Sequence, residues 1–253
     1  MIKKRLIFKL LYKNGKFILS RNFNHQLIGD VNWLINNYKF NKVSKYIDEL
    51  IILDVSSNRN QKKFIDDYLK LYKVIFIPVT IGGGIDNYEK AKIFFENGAD
   101  KISINSAFYQ NSDFINDIAK TYGKQSVVFS MDYQIENSKI VSYLSNGKQK
   151  FQGSIYEIFN KNINNFGEIL ITDISRDGTG KGINFKIAEN MKKFPKKPIV
   201  VSGGIGNYKH ILEVFKNDGN FNAVATGNLL NFVGDGFKKT RKELLNSGIN
   251  IPN

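Results

Sequence analysis

The chain has 253 residues, of which 42% are hydrophobic, with no cysteine and a formal net charge of +14. This length suits one barrel domain or at most two small domains, and the hydrophobic share supplies enough apolar surface for a large core. The lack of cysteine excludes disulfides and thiolate chemistry, and no stretch approaches the roughly 18 apolar residues of a membrane span.

The basic charge would suit nucleic-acid binding. However, the lysines are scattered along the chain, and aromatic residues do not interleave with them as stacking platforms would. We therefore interpret the charge as a compositional bias, with attraction of an acidic substrate or partner as the alternative. The apolar start is short and is interrupted by Lys9, unlike a signal peptide. We expect a cytoplasmic protein that binds neither nucleic acid nor a membrane.

Short apolar, β-branched runs alternate along the chain with longer amphipathic stretches, which is typical of a parallel sheet covered by helices. Eight strands are predicted, in chain order Leu6–Leu11, Glu49–Val55, Ile75–Thr80, Lys101–Asn105, Ser126–Asp132, Glu168–Asp173, Pro198–Ser202 and Ala223–Thr226. A helix is predicted over Asn87–Asn97, with Gly98 as its C-cap. Eight such units predict an α/β fold, a (βα)₈ TIM barrel forming one domain over residues 1–253.

Two glycine-rich turns recur half a chain apart. Gly82-Gly83-Gly84 follows the third predicted strand and Gly203-Gly204 follows the seventh, each ahead of an Asn-Tyr pair and a helical pattern. Glycine lets backbone N–H groups approach a ligand, and a helix start favours phosphate. With Asn105-Ser106 and Thr226-Gly227-Asn228, these turns predict two anion sites on opposite sides of the barrel mouth. The alternative is that the glycines only form tight turns.

Aspartates end or nearly end three of the predicted strands. These residues are Asp54, Asp132 and Asp173, and Asp177 lies in the loop after the last of them. On a barrel they would face one mouth, where a general acid or base belongs, or each would cap the next helix. Asp132 is the favoured catalytic residue because its strand is apolar up to that position. The two histidines are far apart in the sequence, so we expect neither a metal site nor a serine triad.

Four stretches make the chain resemble a known family: Gly82–Ile85, Gly98–Asn105, Gly167–Thr172 and Arg176–Thr179. They are similar to HisF, the cyclase subunit of imidazole glycerol phosphate synthase, and the likeness runs from Arg5 to about Ile251. The isomerase HisA shares the fold, but these stretches resemble HisF more. The resemblance implies a HisH-like glutaminase at the amino-terminal face and a phosphorylated or acidic small-molecule substrate at the other. Ammonia would pass through the barrel between them, and no cofactor or metal is implied.

The resemblance also implies roles for individual residues. The ammonia gate would be a ring of charges at the barrel floor, formed by Arg5, Glu49, Lys101 and Glu168. Opposite charges there can pair, whereas isolated charges would cost several kcal/mol; pairing for stability alone is the alternative. Phosphate or substrate contacts would come from Gly84, Asn105, Ser106, Asp177, Gly178, Gly204, Gly227 and Asn228, although Ser175 replaces an aspartate of the usual loop. Asp100 would lie at the glutaminase interface.

One departure from the family concerns its pair of cyclase aspartates. Asp132 matches the strand-five member, but Leu11 occupies the strand-one position and cannot transfer a proton. The family's substrate-contacting lysine is also missing near Leu19, where Lys16 or Arg21 is the available substitute.

A HisF-like branch for surface polysaccharide and flagellar sugar biosynthesis has the same Leu-Leu before a Lys-Asn-Gly turn. We therefore expect the synthase subunit of a glutamine amidotransferase, which receives ammonia from the glutaminase for amidation of a sugar by a sugar amidotransferase. One alternative is an authentic HisF cyclase, producing imidazole glycerol phosphate and AICAR with another carboxylate such as Asp54. A nucleic-acid binder is a further alternative, indicated only by the charge of +14.

Overall fold

The computed structural model describes residues 3–194, 196–217, 219–227 and 236–252. The strands found there are β1 Arg5–Lys13, β2 Lys16–Arg21, β3 Asn24–Gly29, β4 Glu49–Asp54, β5 Val79–Gly82, β6 Lys101–Ile104, β7 Val127–Glu136, β8 Lys139–Leu144, β9 Gln149–Lys150, β10 Glu168–Asp173, β11 Ile199–Ser202 and β12 Phe221–Thr226. The helices are α1 Val31–Tyr38, α2 Phe40–Val43, α3 Gln61–Tyr72, α4 Tyr88–Glu96, α5 Ser106–Gln110, α6 Asp113–Tyr122, α7 Ile155–Lys161, α8 Lys186–Met191, α9 Tyr208–Lys216 and α10 Gly236–Asn246. None of these helices is long and apolar enough to cross a membrane.

Eight of the strands close into a parallel barrel. They pair in the order β1, β4, β5, β6, β7, β10, β11 and β12, and β12 returns to β1 with Arg5 opposite Ala223. At least one helix lies between each pair of successive barrel strands along the chain. The predicted (βα)₈ TIM barrel is therefore confirmed.

The third barrel strand differs from its predicted bounds. The prediction of Ile75–Thr80 was wrong, because the strand is Val79–Gly82. Pro78 has no backbone N–H to donate and marks the strand start. Ile75 is buried in the preceding connection, while the side chain of Phe76 is 91% exposed. The apolar run thus contains both part of the connection and the start of the strand. Hydrophobicity alone does not show where one ends and the other begins.

Two antiparallel extensions rise from the barrel mouth. At the first, β1 continues to Lys13 and turns into β2, which pairs with β3. Asn14 and Gly15 have φ angles of 50° and 81° at this turn, as a tight Asn-Gly hairpin requires. Similarly, β7 continues past Asp132 into a hairpin with β8.

Side chains alternate between the inside and the outside of the barrel. On β1, Leu6, Phe8 and Leu10 pack in the large core between strands and helices, whereas Ile7 belongs to a separate interior cluster. That cluster also contains Ile51, Val128, Leu170, Val200, Ala223 and Ala225. Since strand side chains alternate with a period of two, Arg5, Lys9 and Leu11 also point inward. The interior therefore has an apolar layer between a charged floor and a polar mouth.

Candidate functional site

The floor of the barrel holds a closed ring of ion pairs. Arg5 donates to Glu49 at 2.7 Å and also to Glu168. Lys101 donates to the same carboxylates, at 3.0 Å to Glu49 and 2.9 Å to Glu168. The structure thus brings together all four residues of the predicted ring, and each charge contacts both charges of opposite sign.

The two carboxylates of this ring are deeply buried. The side chains of Glu49 and Glu168 are 4% and 8% exposed, against 23% for Arg5 and 20% for Lys101. Burial opposes ionisation of Glu168, but the positive charges of Lys101 and Arg5 outweigh it and lower its pKa. Glu49 also accepts a hydrogen bond from the Thr80 hydroxyl at 2.7 Å. The ring therefore pairs two positive with two negative side chains, as buried charges require.

A cavity of about 480 Å³ lies at the opposite end of the strands. It is lined by the predicted site residues Gly84, Asn105, Ser106, Asp132 and Asp177. The Asp132 carboxylate accepts a hydrogen bond from the Asn105 side-chain amide at 3.0 Å. Burial raises the pKa of Asp132 to about 7, although the positive charge of Lys9 acts against this shift. A carboxyl with such a pKa can both donate and accept a proton near neutral pH.

A second, smaller cavity adjoins the first on the far side of Asp177. Its volume is about 40 Å³, and it is lined by Asp177, Gly178, Gly204 and Gly227. Asn228, the remaining residue of the predicted second anion site, lies outside the described residues. The predicted anion sites therefore map to two neighbouring cavities, with Asp177 lining both.

The two glycine-rich turns have the same geometry. Gly83 and Gly203 adopt φ angles of +113° and +96°, and a Cβ on either would collide with the carbonyl oxygen of Asp54 or Asp173. The asparagine after each turn caps the next helix: Asn87 accepts from the Lys90 N–H at 2.9 Å and Asn207 from the His210 N–H at 3.2 Å. Glycine is therefore required by the turns themselves, and the same turns line the cavities.

Asp54 and Asp173 stabilise the loops that follow their strands. Each carboxylate accepts the backbone N–H and hydroxyl of the serine two residues later, at 2.9 and 2.5 Å from Ser56 and at 2.9 and 2.6 Å from Ser175. Both aspartates are nearly fully buried. These contacts favour a loop-capping role over acid–base catalysis for either residue.

The strand-one position contributes no carboxylate to the mouth. Leu11 lines both cavities and Leu19 lines the smaller one. Neither Lys16 nor Arg21 lines either cavity, and Lys16 instead approaches Asp30 at 3.5 Å. The structure thus does not bring either suggested substitute lysine or arginine into the site.

The amino-terminal face carries the residue predicted to contact a partner. Asp100, just before β6, is exposed, although its carboxylate accepts the Val79 backbone N–H at 2.8 Å. The exposed Phe76 lies in the connection before β5, at the same end of the barrel.

Several residues of the site escaped prediction, above all Lys9. The lysine is 8% exposed and lines both cavities. The larger cavity is also lined by Ser103, Ser130 and Thr172, and the buried Ser103 hydroxyl has no hydrogen-bond partner in the part of the chain that the structure describes. The signal for Lys9 was its period-two spacing from Arg5 and Leu11 on one strand. Within the described ranges, no cluster of three acidic or histidine residues could hold a metal ion.

Comparison with known proteins places the chain in a family. The family model described as "Histidine biosynthesis protein" matches residues 13–234. A protein of Parasynechococcus marenigrum provisionally named imidazole glycerol phosphate synthase subunit hisF2 is 43% identical over 96% of this chain and 91% of its own length. Imidazole glycerol phosphate synthase subunits HisF of Chlorobium phaeovibrioides and Flavobacterium johnsoniae are 30% and 31% identical, each over 99% of both chains. The chain therefore belongs to the HisF family of imidazole glycerol phosphate synthase subunits.

Proposed function

We propose that this chain is the ammonia-receiving synthase subunit of a glutamine amidotransferase. A HisH-like glutaminase supplies the ammonia, which serves amidation of a sugar in surface glycan biosynthesis. The observation that carries the proposal is the complete ring of Arg5, Glu49, Lys101 and Glu168 combined with Leu11 at the mouth. An enzyme that transfers ammonia through the barrel needs the ring of charges at its floor. Cyclisation of a substrate by two opposed carboxylates, in contrast, needs an acid at the position of Leu11.

The layers of the barrel interior support passage of a neutral molecule. Above the ring lies the apolar cluster that includes Ile7, Ile51 and Leu170, and above it the hydroxyl-lined cavity with Asp132. Transfer of an ammonium ion from water into the apolar layer would cost much free energy, whereas transfer of uncharged ammonia costs much less. Opening one ion pair of the ring would admit ammonia while the remaining pairs hold the floor together.

The amino-terminal face supports docking of the glutaminase. Phe76 is 91% exposed there, and the carboxylate of Asp100 lies at the surface of the same end. Exposed aromatic side chains next to polar groups are typical of protein interfaces. A partner at this face would release ammonia directly below the ring.

The mouth supports an anionic acceptor. Arg59 and Lys148 line the larger cavity, and the glycine turns present backbone to both cavities. The net charge of +14 favours approach of an anion. Delivery of the nitrogen to a sugar, with a sugar amidotransferase as a further partner, follows from the resemblance to the HisF-like branch alone.

The second candidate is an authentic HisF cyclase. Asp132, whose pKa is raised to about 7 by burial, favours it because a proton-transferring carboxyl is retained. Against it, Asp54 is the suggested second carboxylate, and its Oδ1 already accepts two hydrogen bonds from Ser56.

An assay of the purified chain separates the two candidates. The chain is incubated at alkaline pH with ammonium salts and the biosynthetic precursor of imidazole glycerol phosphate. The proposal expects no cyclised product, but stimulation of glutamine hydrolysis when the cognate glutaminase is added. Formation of imidazole glycerol phosphate by the unaltered chain would establish the cyclase instead.

A further inference from the structure

A buried lysine side chain projects into the mouth of the barrel. Lys9 points inward from β1, is 8% exposed and lines both cavities. No carboxylate within the described ranges forms an ion pair with it, and its charge is influenced from a distance by Asp177 and Asp132. A buried lysine usually has a hydrogen-bond or ion-pair partner, so an amine without one among the described residues calls for a functional explanation.

Burial changes the chemistry of this amine. Removal from water lowers the pKa of Lys9, while the charges of Asp177 and Asp132 oppose that shift. A larger neutral fraction makes a lysine amine a better nucleophile, as lysines that form imines with carbonyl substrates require. Asp132, on β7 across the same cavity, is available as its proton-transfer partner.

We propose that Lys9 is a nucleophile that binds the aldehyde or ketone group of an anionic sugar as an imine. The glycine turns, Arg59 and Lys148 would hold the sugar's anionic group at the rim of the same cavity. This inference goes beyond the proposed function, because it places a nitrogen-accepting carbonyl group in this chain's own cavity in addition to the amidation by the sugar amidotransferase, and it rests on that function only for the arrival of ammonia.

In the first step, imine formation, every proton comes from or goes to a group on the cavity wall or the substrate. The Lys9 amine attacks the carbonyl carbon, and the carbonyl oxygen takes a proton from the Asp132 carboxyl. The carboxylate then takes a proton from the nitrogen and returns it to the hydroxyl, which leaves as water. The products are a protonated imine, one water molecule and ionised Asp132. The unpartnered hydroxyl of Ser103 lies in the cavity to hydrogen-bond the departing hydroxyl.

The second step returns both residues to their starting state. Ammonia adds to the imine carbon, and one of its protons passes through Asp132 to the Lys9 nitrogen. The Lys9 amine is then expelled, and the carboxylate takes a proton from the substrate nitrogen. The sum is carbonyl plus ammonia giving a free imine and water, without any oxidant or reductant. Nitrogen thus enters at the former carbonyl carbon.

Reductive trapping tests this inference without ammonia or glutaminase. The full chain is incubated at pH 7 with glyceraldehyde 3-phosphate and cyanoborohydride, and labelling of each lysine is followed by peptide mass spectrometry. The reference is Lys120, whose side chain is 68% exposed. We expect Lys9 to be labelled about tenfold faster than Lys120 or more, and inorganic phosphate to slow only Lys9.

Two variants complete the trapping experiment. Asp132→Asn should slow labelling of Lys9 by about a hundredfold and leave Lys120 unchanged, because it removes the proton donor. Lys9→Arg should abolish labelling of the peptide that contains residue 9 and leave labelling of Lys120 unchanged. Labelling of Lys9 no faster than Lys120, or unchanged by Asp132→Asn, would overturn the inference. If Lys9 is not labelled but the complex still transfers glutamine nitrogen to its acceptor, the inference fails while the proposed function stands. The two failures are therefore distinguishable.

Discussion

Arg5 and Lys101 begin barrel strands that are not adjacent, yet they bind the same two carboxylates. Arg5 lies on β1 and Lys101 on β6, with β4 and β5 between them in the barrel. Each donates to both Glu49 and Glu168. The ring therefore acts as one unit, in which removal of either cation leaves two buried carboxylates sharing the other.

Loss of one ring cation should destabilise the fold. We expect Lys101→Met to lower the free energy of unfolding by about 3 kcal/mol, because it leaves buried charge uncompensated. The control is Lys150→Met, which removes a 2.6 Å ion pair to Glu136 whose side chains are 44% and 38% exposed. That change should cost less than about 1 kcal/mol. Urea denaturation measures both, and equal losses would show that the ring is energetically an ordinary surface network.

The raised pKa of Asp132 should make stability depend on pH. The folded chain keeps this proton up to about pH 7, whereas an unfolded aspartate loses it near pH 4. Stability therefore falls as pH rises between these values, because the folded state binds the extra proton. We expect Asp132→Asn to stabilise the chain by about 2 kcal/mol more at pH 8 than at pH 5.

The control for this pH dependence is Asp117→Asn, at a side chain that is 64% exposed. It should have the same effect on urea denaturation at both pH values. A pH-independent effect of Asp132→Asn would contradict a buried, protonated carboxyl at the mouth.

The glycine turns should tolerate no side chain. Gly203→Ala places a Cβ 2.6 Å from the Asp173 carbonyl oxygen at a φ of +96°. We expect a loss of about 3 kcal/mol or more, combining backbone strain and collision. Gly248→Ala is the matched control, with a φ of +75° and no atom of the described residues within 4 Å of the added Cβ, and should cost about 1 kcal/mol. Thermal melting compares the two, and similar losses would mean that the turn can relax.

Restoring a carboxylate opposite Asp132 should restore cyclisation. Leu11 lines the mouth, so Leu11→Asp would place an acid in the same cavity as Asp132. We expect this variant to form imidazole glycerol phosphate from its precursor and ammonium salts, and the parent to form none. Leu11→Asn has nearly the same shape but transfers no proton, and should stay inactive. Product from Leu11→Asn, or none from Leu11→Asp, would show that Leu11 does not decide whether the chain cyclises the precursor.

Much of the barrel could be predicted because each buried strand is a short apolar run with polar ends. The helix after Gly82–Gly84 was predicted at nearly the right place, with Asn87 at its start, but its C-cap is Asn97 and the predicted Gly98 follows it with a φ of 92°. The third strand was misplaced because Ile75 and Ile77 are as apolar as the strand itself. The hairpin of β2 and β3 was missed since β3 is largely exposed and therefore lacks the apolar alternation of a buried strand.

The site was less predictable than the fold. The ring residues could be named from resemblance, but their mutual hydrogen bonds depend on barrel closure, which joins residues 163 positions apart in the case of Arg5 and Glu168. Asp54 and Asp173 have the same sequence signature as Asp132, and only their contacts with Ser56 and Ser175 distinguish capping from catalysis. Lys9 was overlooked because a lysine in an apolar run suggests an interruption, whereas strand alternation turns it into the barrel.

The most direct test of ammonia passage uses glutamine labelled with ¹⁵N in its side-chain amide, in the presence of excess unlabelled ammonium. The complex of the chain with its glutaminase is compared with a variant carrying Arg5→Met, Glu49→Gln, Lys101→Met and Glu168→Gln, after partner binding has been verified for both. The unaltered complex should transfer mostly ¹⁵N to the acceptor, whereas the variant should transfer the two isotopes in proportion to their bulk concentrations. Equal preference for ¹⁵N in both complexes would contradict a gate formed by these four charges.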